Sequence, residues 1–398
     1  MREEDPILTN RALYIFSVTC GASVASTYYL QPIFPSVGRS LHILPATVSL
    51  VSTVLQLAYA LGLLLVVPLG DLFDRRKLIP FLLGLSSLSL LGVALSPNFG
   101  LFLFFCALVG VTSVVAQITV GFVATIAEPA RRGAQVGTVM SGLLMGILLA
   151  RTISGTIDQF FGWRAIFVMG AIAVGALALV IAPNIATLPR SHQGGYGSLL
   201  GSLLVTFKAE PVVRQASLLG LLQFMAFSIF WNTSSLQLSS EKLHLSPFDI
   251  GLFGLIGAAG ATAARISGKL ADQGRQFAVS LFCAALIVVA FGLLYLFEYN
   301  LVVIVIAVLL LDFGVQGAHI ANQSVIYAIG QQARSRITSI YMTSYFFGGA
   351  IGSFLSTLFF RQYGYRSVAI YGFAVGLTIV FVRFIIGDVQ KRYRLLQK

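Results

Sequence analysis

Twelve runs of apolar residues, each near the length a helix needs to cross about 30 Å of hydrocarbon, divide this chain. They are Ala12–Leu30, Ala46–Leu69, Leu78–Leu95, Phe99–Ala127, Ala134–Phe161, Ala165–Ala182, Ala216–Leu236, Ile250–Leu270, Phe277–Phe297, Leu301–Ile329, Thr338–Phe360 and Val368–Ile386. None alternates apolar and polar positions with the period of two that a membrane barrel requires, so the spans are predicted as helices. The one long gap, from Pro183 to Gln215, opens with the soft stretch Ser191–Gly197. It then places Leu199, Leu200, Leu203, Leu204 and Phe207 on one face and closes with Glu210 and Pro211. That pattern predicts a short interfacial helix within a flexible linker.

Polar residues between the runs give an orientation. Arg11, Arg75, Arg76, Lys77, Arg131, Arg132, Arg190, Lys208, Arg214, Lys269, Arg275, Arg334, Arg336 and Arg383 fall on one side, with Arg2 and the basic C-terminal tail. Arg39, Arg164, Lys242, Arg361 and Arg366 fall on the other. The crowded side is expected to be cytoplasmic, with both termini there, as in a multi-pass inner-membrane protein.

Composition agrees. Of 398 residues, 57% are apolar and 10% charged, against about 25% charged in soluble domains. The mean hydropathy is +0.89. The net charge of +12 would suggest nucleic acid only if it formed a patch, and it is spread over loops instead. Cys20, Cys106 and Cys283 all lie inside apolar runs and read as buried thiols rather than a disulfide framework. The acidic start, Arg2-Glu3-Glu4-Asp5, is unlike the head of a cleaved signal peptide.

The two halves repeat. Leu41-His42-Ile43-Leu44-Pro45 returns as Leu243-His244-Leu245-Ser246-Pro247, and Phe161-Gly162-Trp163-Arg164 as Tyr363-Gly364-Tyr365-Arg366, both displaced by 202 positions. Met140 and Gly146 match Met342 and Gly348 at the same displacement. The expected fold is an all-α integral membrane protein of twelve transmembrane helices in two pseudo-symmetric six-helix bundles. Residues 1–183 form the first bundle, 184–214 the cytoplasmic linker and 215–398 the second bundle.

With these motifs the chain resembles the major facilitator superfamily. The loop after span two, with Gly70, Asp71, Asp74, Arg75 and Arg76, is similar to that family's cytoplasmic gate signature, shortened by one glycine. The resemblance implies that its acid and basic residues latch the bundles. Gly142-Leu143-Leu144-Met145-Gly146, followed by Ala150-Arg151-Thr152-Ile153-Ser154-Gly155, resembles the span-five signature of the antiporter branch, without its glycine–proline pair. Span four lacks the arginine that many proton antiporters of the family carry there. The resemblance is nearest to drug and sugar exporters, and implies that spans one, four, seven and ten line a central cavity.

An ionised group at bilayer depth costs about 2.5–3.5 kcal/mol on insertion scales, so each one asks for a role. Asp312 is the acid set squarely within a span, and Gln316, His319 and Gln323 continue its helical face. The repeat partners in span four are Gly110, Val114, Gln117 and Gly121, mostly apolar. Asp312 is a candidate proton carrier and His319 a second, against the alternative of a structural hydrogen-bonded cluster. Arg151, in span five, stays charged, and three roles are open: pairing with Asp312, holding an anionic solute, or helix packing. Tyr28, Tyr29, Gln31, Gln117, Gln223, Trp231 and Asn232 are the other cavity candidates, with an interfacial aromatic belt the alternative for the rings.

No metal, catalytic or nucleotide-binding constellation is visible, so no cofactor and no enzyme activity are expected. The expected function is secondary transport by alternating access, with proton-coupled efflux of small drug-like or metabolite molecules. An uptake symporter or facilitator is the alternative. The expected partners are a small-molecule substrate, protons and the lipid bilayer, with no nucleic acid, and the expected state is a monomer.

Overall fold

The computed structural model describes residues 9–128, 131–185, 195–257, 263, 266–271, 273–327, 329 and 334–387. Among these residues the chain is helical, without strands, and follows the twelve-span plan. Ten helices are long and apolar enough to cross a membrane. They are span two (Pro45–Leu72), three (Arg75–Leu95), four (Phe99–Ile126), five (Arg132–Phe161), six (Trp163–Asn184), seven (Pro211–Leu238), nine (Gln276–Leu296), ten (Leu301–Tyr327), eleven (Arg334–Tyr363) and twelve (Tyr365–Ile386). Span eight is described as Pro247–Ile256 and residues 266–271. Arg2, Arg190 and Arg265, the C-terminal basic tail and most of Ser191–Gly197 lie outside the described residues.

Span one departs from the expected single run. It is helical over Asn10–Ala25, breaks, takes a 3-10 turn at Gln31–Ile33 and resumes as Phe34–Leu41. Pro32 and Pro35 explain both features. Proline breaks a helix interior but suits the first turn of the next helix, where no amide hydrogen is needed.

The duplication is visible in the backbone. Spans five and eleven each run 30 residues. Each ends on a glycine at a positive φ that other residues rarely adopt, Gly162 at φ 80° and Gly364 at φ 76°. His42 at φ 55° and His244 at φ 50° close the corresponding loops before spans two and eight. The equivalent positions therefore share a turn geometry as well as a sequence.

Within each bundle, close approach of backbones does the packing, as expected where lipid removes most of the hydrophobic drive between helices. Gly21 lies against Gly142 and Gly146 where spans one and five cross, and Gly348 and Gly352 lie against Leu221 and Met225 where spans seven and eleven cross. Large apolar side chains such as Phe81, Leu88, Leu179 and Phe381 face outward, where lipid would cover them. Span seven is the most enclosed of these ten helices.

The bundles meet along two seams. Span five meets span eight through bare backbone: a Cβ on Gly251 would lie 2.8 Å from the Arg151 carbonyl, and Thr152 donates to the Gly251 carbonyl at 2.9 Å. Span two meets span eleven through side chains, Ser49 with Thr357 at 2.8 Å and the Tyr59 and Phe346 rings at 4.2 Å.

The linker helix is present as Tyr196–Ala209. Its inward face is narrower than the expected one, because Leu199 and Leu203 are buried while Leu204 is 64% exposed. The helix touches both bundles. Tyr196 donates to the Leu65 carbonyl of span two at 2.7 Å, and Leu199 and Leu203 share a pocket wall with Arg336 and Ser339 of span eleven.

Candidate functional site

Arg151 reaches into the seam from span five with 3% of its surface exposed. Its Nε donates to Gln31 Oε1 at 2.6 Å, at the break in span one. Its guanidinium carbon sits 3.8 Å from the centroid of the Trp231 ring, with Tyr28 at 5.0 Å and Phe227 at 5.7 Å. Cation–aromatic contact offsets part of the cost of burying such a charge. Nη2 has no hydrogen-bond acceptor among the described residues.

Trp231 links this cation to the acid. Its indole Nε1 donates to Asp312 Oδ1 at 3.0 Å, while its ring face meets Arg151. Asp312 is 2% exposed, and among the described residues no Arg or Lys nitrogen lies within 4.0 Å of its carboxylate. Gln31 and Arg151 belong to the first bundle, Trp231 and Asp312 to the second. The four residues form one chain of contacts across the seam. Span eight leaves room for it: Gly254 faces the Arg151 side chain and Gly257 faces Asp312 Oδ2.

The rest of the span-ten stripe faces elsewhere. His319 Nδ1 is 2.9 Å from the Tyr341 hydroxyl, and its ring lies tilted 4.6 Å from that of Tyr345, both on span eleven. Gln316 and Gln323 are half-buried. Gln223 accepts from Asn322 at 3.1 Å, and its Nε2 has no partner among the described residues. Gln117 lies near the Tyr59 hydroxyl.

Two candidates turn into their own bundles. Tyr29 packs edge-on to Phe167 of span six, and Asn232 donates to Thr357 at 2.9 Å and to the Ser353 carbonyl at 3.0 Å. Asn322, Gln56, Tyr341 and Tyr345 escaped the sequence reading. Gln56 is the one amide in the run Ala46–Leu69, and that polar interruption was its available signal. In the structure it accepts from Ser228 across the bundles at 3.2 Å.

A small central cavity of about 330 Å³ adjoins the Arg151 cluster and shares Tyr28 and Gln31 with it. Thr27, Ser52, Gln56, Tyr59 and Phe346 are among its other walls, and none of the lining residues is charged.

At the linker end, a second pocket of about 480 Å³ contains Asp71, Arg75, Gln117 and Arg336. Arg75 pairs with Asp71 at 3.0 Å, donates to the Gly70 carbonyl at 2.8 Å and reaches Thr125 of span four. Asp74 caps span three by accepting from the Arg76 amide at 2.9 Å. These contacts of Arg75 stay inside the first bundle.

Two repeated helical bundles with a buried polar cluster at their seam define a membrane solute carrier. The chain belongs to the Major Facilitator Superfamily, whose profile it matches over residues 16–352. It is 38% identical over 375 residues to the uncharacterized transporter YgaY of Escherichia coli O157:H7, covering 94% of this chain and 95% of that one. It is 25% identical over 385 residues to a probable sugar efflux transporter of Helicobacter pylori strain HPAG1, covering 94% of both. Its fold matches the nucleoside transporter NupG with a TM-score of 0.76 at 11% identity, over 95% of this chain and all of that chain. The protein is a multi-pass membrane transporter of small molecules and not an enzyme.

Proposed function

We propose that this protein is a proton-coupled exporter of small drug-like or metabolite molecules, working by alternating access. Bundles 1–183 and 215–398 rock about the central seam, joined by the linker 184–214. Both termini face the cytoplasm of an inner membrane, an orientation supported by the crowding of basic residues on that side. In this reading the transporter works as a monomer.

The observation that carries the reading is the buried contact chain Gln31–Arg151–Trp231–Asp312, which joins an acid in one bundle to a cation in the other. Such a pair responds to a proton at the place where the bundles must part. Low dielectric favours a neutral carboxyl and a nearby cation favours the anion, so small rearrangements suffice to load or unload the proton. The hydroxyl and glycine contacts of the two seams lie toward the end remote from the linker. The larger pocket lies at the linker end, an arrangement suited to taking up solute from the cytoplasm.

No nucleotide-binding loop is present to drive transport directly, so an ion gradient is the energy source. One proton moving down 100 mV and one pH unit yields about 3.7 kcal/mol, enough for roughly a 500-fold gradient of a neutral solute. The test is proton release from reconstituted vesicles on adding candidate solutes, in wild type and Asp312→Asn. Solute-triggered release that disappears in the variant, with solute binding retained, is expected. Equal release in both would remove Asp312 from coupling, and solute transport without proton movement would make the protein a facilitator.

A further inference from the structure

We infer that the solute has zero net charge, offers a hydrogen-bond acceptor to Arg151 and a donor to Asp312, and competes with the proton for that carboxylate. This rests on the transporter reading above and names the chemistry of its cargo.

Charge balance comes first. Arg151 and Asp312 are both almost fully buried, and with Asp312 ionised the two neutralise the site between them. A charged solute would leave one charge uncompensated in a poorly hydrated seam, the situation that makes breaking a buried pair costly. The cavity beside the cluster agrees, since its polar walls are uncharged hydroxyls and amides and its remaining walls largely aromatic.

Unfilled hydrogen-bonding capacity comes second. Arg151 Nη2 has no acceptor among the described residues, and the one hydrogen bond to Asp312 among them goes to Oδ1. Oδ2 faces Gly257, where a Cβ would stand 3.3 Å away, and Gly254 packs against the aliphatic stem of Arg151 without a side chain of its own. The seam thus holds one donor and one acceptor for a solute of matching pattern. A hydroxylated uncharged molecule fits it, and so does a zwitterion with its carboxylate on Arg151 and its ammonium on Asp312.

Linkage comes third. A proton on Asp312 fills the acceptor and leaves the site with a net positive charge, so proton and neutral solute weaken each other by the same factor. That mutual exclusion is what exchange requires. An anion on Arg151 would instead favour the proton and travel with it, and a cation would be repelled by Arg151. The titratable groups around Asp312 are Arg151 from span five, Tyr28 from span one and Tyr345 from span eleven. His319 lies about two turns along the same helix.

The protein carries its own reporter. It has two tryptophans, Trp163 and Trp231, so Trp163→Phe leaves the one that touches both charges. The Trp231 emission of the purified full chain in nanodiscs is titrated with a set of uncharged sugars, a set of zwitterionic amino acids, gluconate and choline. A saturable response to an uncharged or zwitterionic member is expected, and the two neutral sets distinguish those sources. Its apparent Kd should rise toward about tenfold per pH unit on the acid side. In Asp312→Asn that pH dependence should vanish, and Arg151→Lys should weaken binding while leaving the pH dependence in place.

Response to gluconate or choline alone, affinity rising with acid, or silence from every neutral member overturns the proposal. Proton release driven by gluconate would remove this solute class and keep the exporter. Neutral binding without proton release from vesicles would remove the coupling and keep this site.

Discussion

The two seams occupy equivalent positions in the duplicated halves and are built in opposite ways. Gly155 and Gly251 stand where their counterparts 202 positions away are Thr357 and Ser49. The first pair lets spans five and eight touch backbone to backbone, and the second pair holds spans eleven and two apart at hydroxyl length. Arg151 is matched by Ser353, Trp231 by Tyr29 and Asp312 by Gly110. Gly110 could not be an acid here, since a Cβ would lie 2.6 Å from the Leu55 carbonyl. Duplication supplied two equal seams, and the charged chemistry occupies only the tighter one.

Breaking the tight seam should have the largest effect. Gly251→Leu sets a branched side chain against the Arg151 carbonyl, and transport in vesicles should fall at least about a hundredfold, as forced backbone separation predicts. Ser49→Gly, the converse change in the looser seam, should leave transport within a few-fold of wild type. Equal losses in both would make the seams mechanically alike.

Next comes Arg151→Ser, which gives span five the residue its counterpart carries at Ser353. Solute binding read through Trp231 should weaken by about tenfold to a hundredfold, the scale of a lost charge-assisted hydrogen bond. Adding Ser353→Arg to that variant should not restore it, because Tyr29 and Gly110 offer no indole N–H and no carboxylate there.

Smaller still is the hydroxyl pair. Thr357→Val should cost about 1 kcal/mol in a double-mutant cycle with Ser49→Ala, read as thermal stability in detergent. The smallest effect belongs to Tyr196→Phe, which removes one hydrogen bond from the linker helix. Its cost should be about 0.5–1 kcal/mol at most, with transport unchanged. A large loss of transport would make the linker a working part of the gate.

The spans were legible because runs of about 20 apolar residues have few other uses. The repeat was legible because its turns need particular residues, such as Gly162 and Gly364. The interruption of span one was not, since Pro32 reads equally well as an end and as a new beginning. At the site, Asp312 and Arg151 stood out as charges in apolar surroundings, but their neighbourhood depends on how two bundles dock, which no spacing along one helix records.

Tyr29 and Asn232 show the same limit from the other side. In helices that are apolar nearly all round, position alone does not say which face meets the cavity. Trp231 was readable as a belt residue or a cavity residue. Only the acid on another span, 81 positions away, decides between them.

The break in span one turns a membrane helix into two levers. The first lever, Asn10–Ala25, is fastened to span five where Gly21 meets Gly142 and Gly146. The second lever, Phe34–Leu41, is clasped to the same span farther along, by Ser36 donating to Asp158 at 2.5 Å. Between them lies the break, held to span five by Ser154 donating to the Tyr29 carbonyl, and Gln31, the residue that holds Arg151, is part of it. A solute that draws on that arginine would therefore pull on span one at the point where its helix is interrupted.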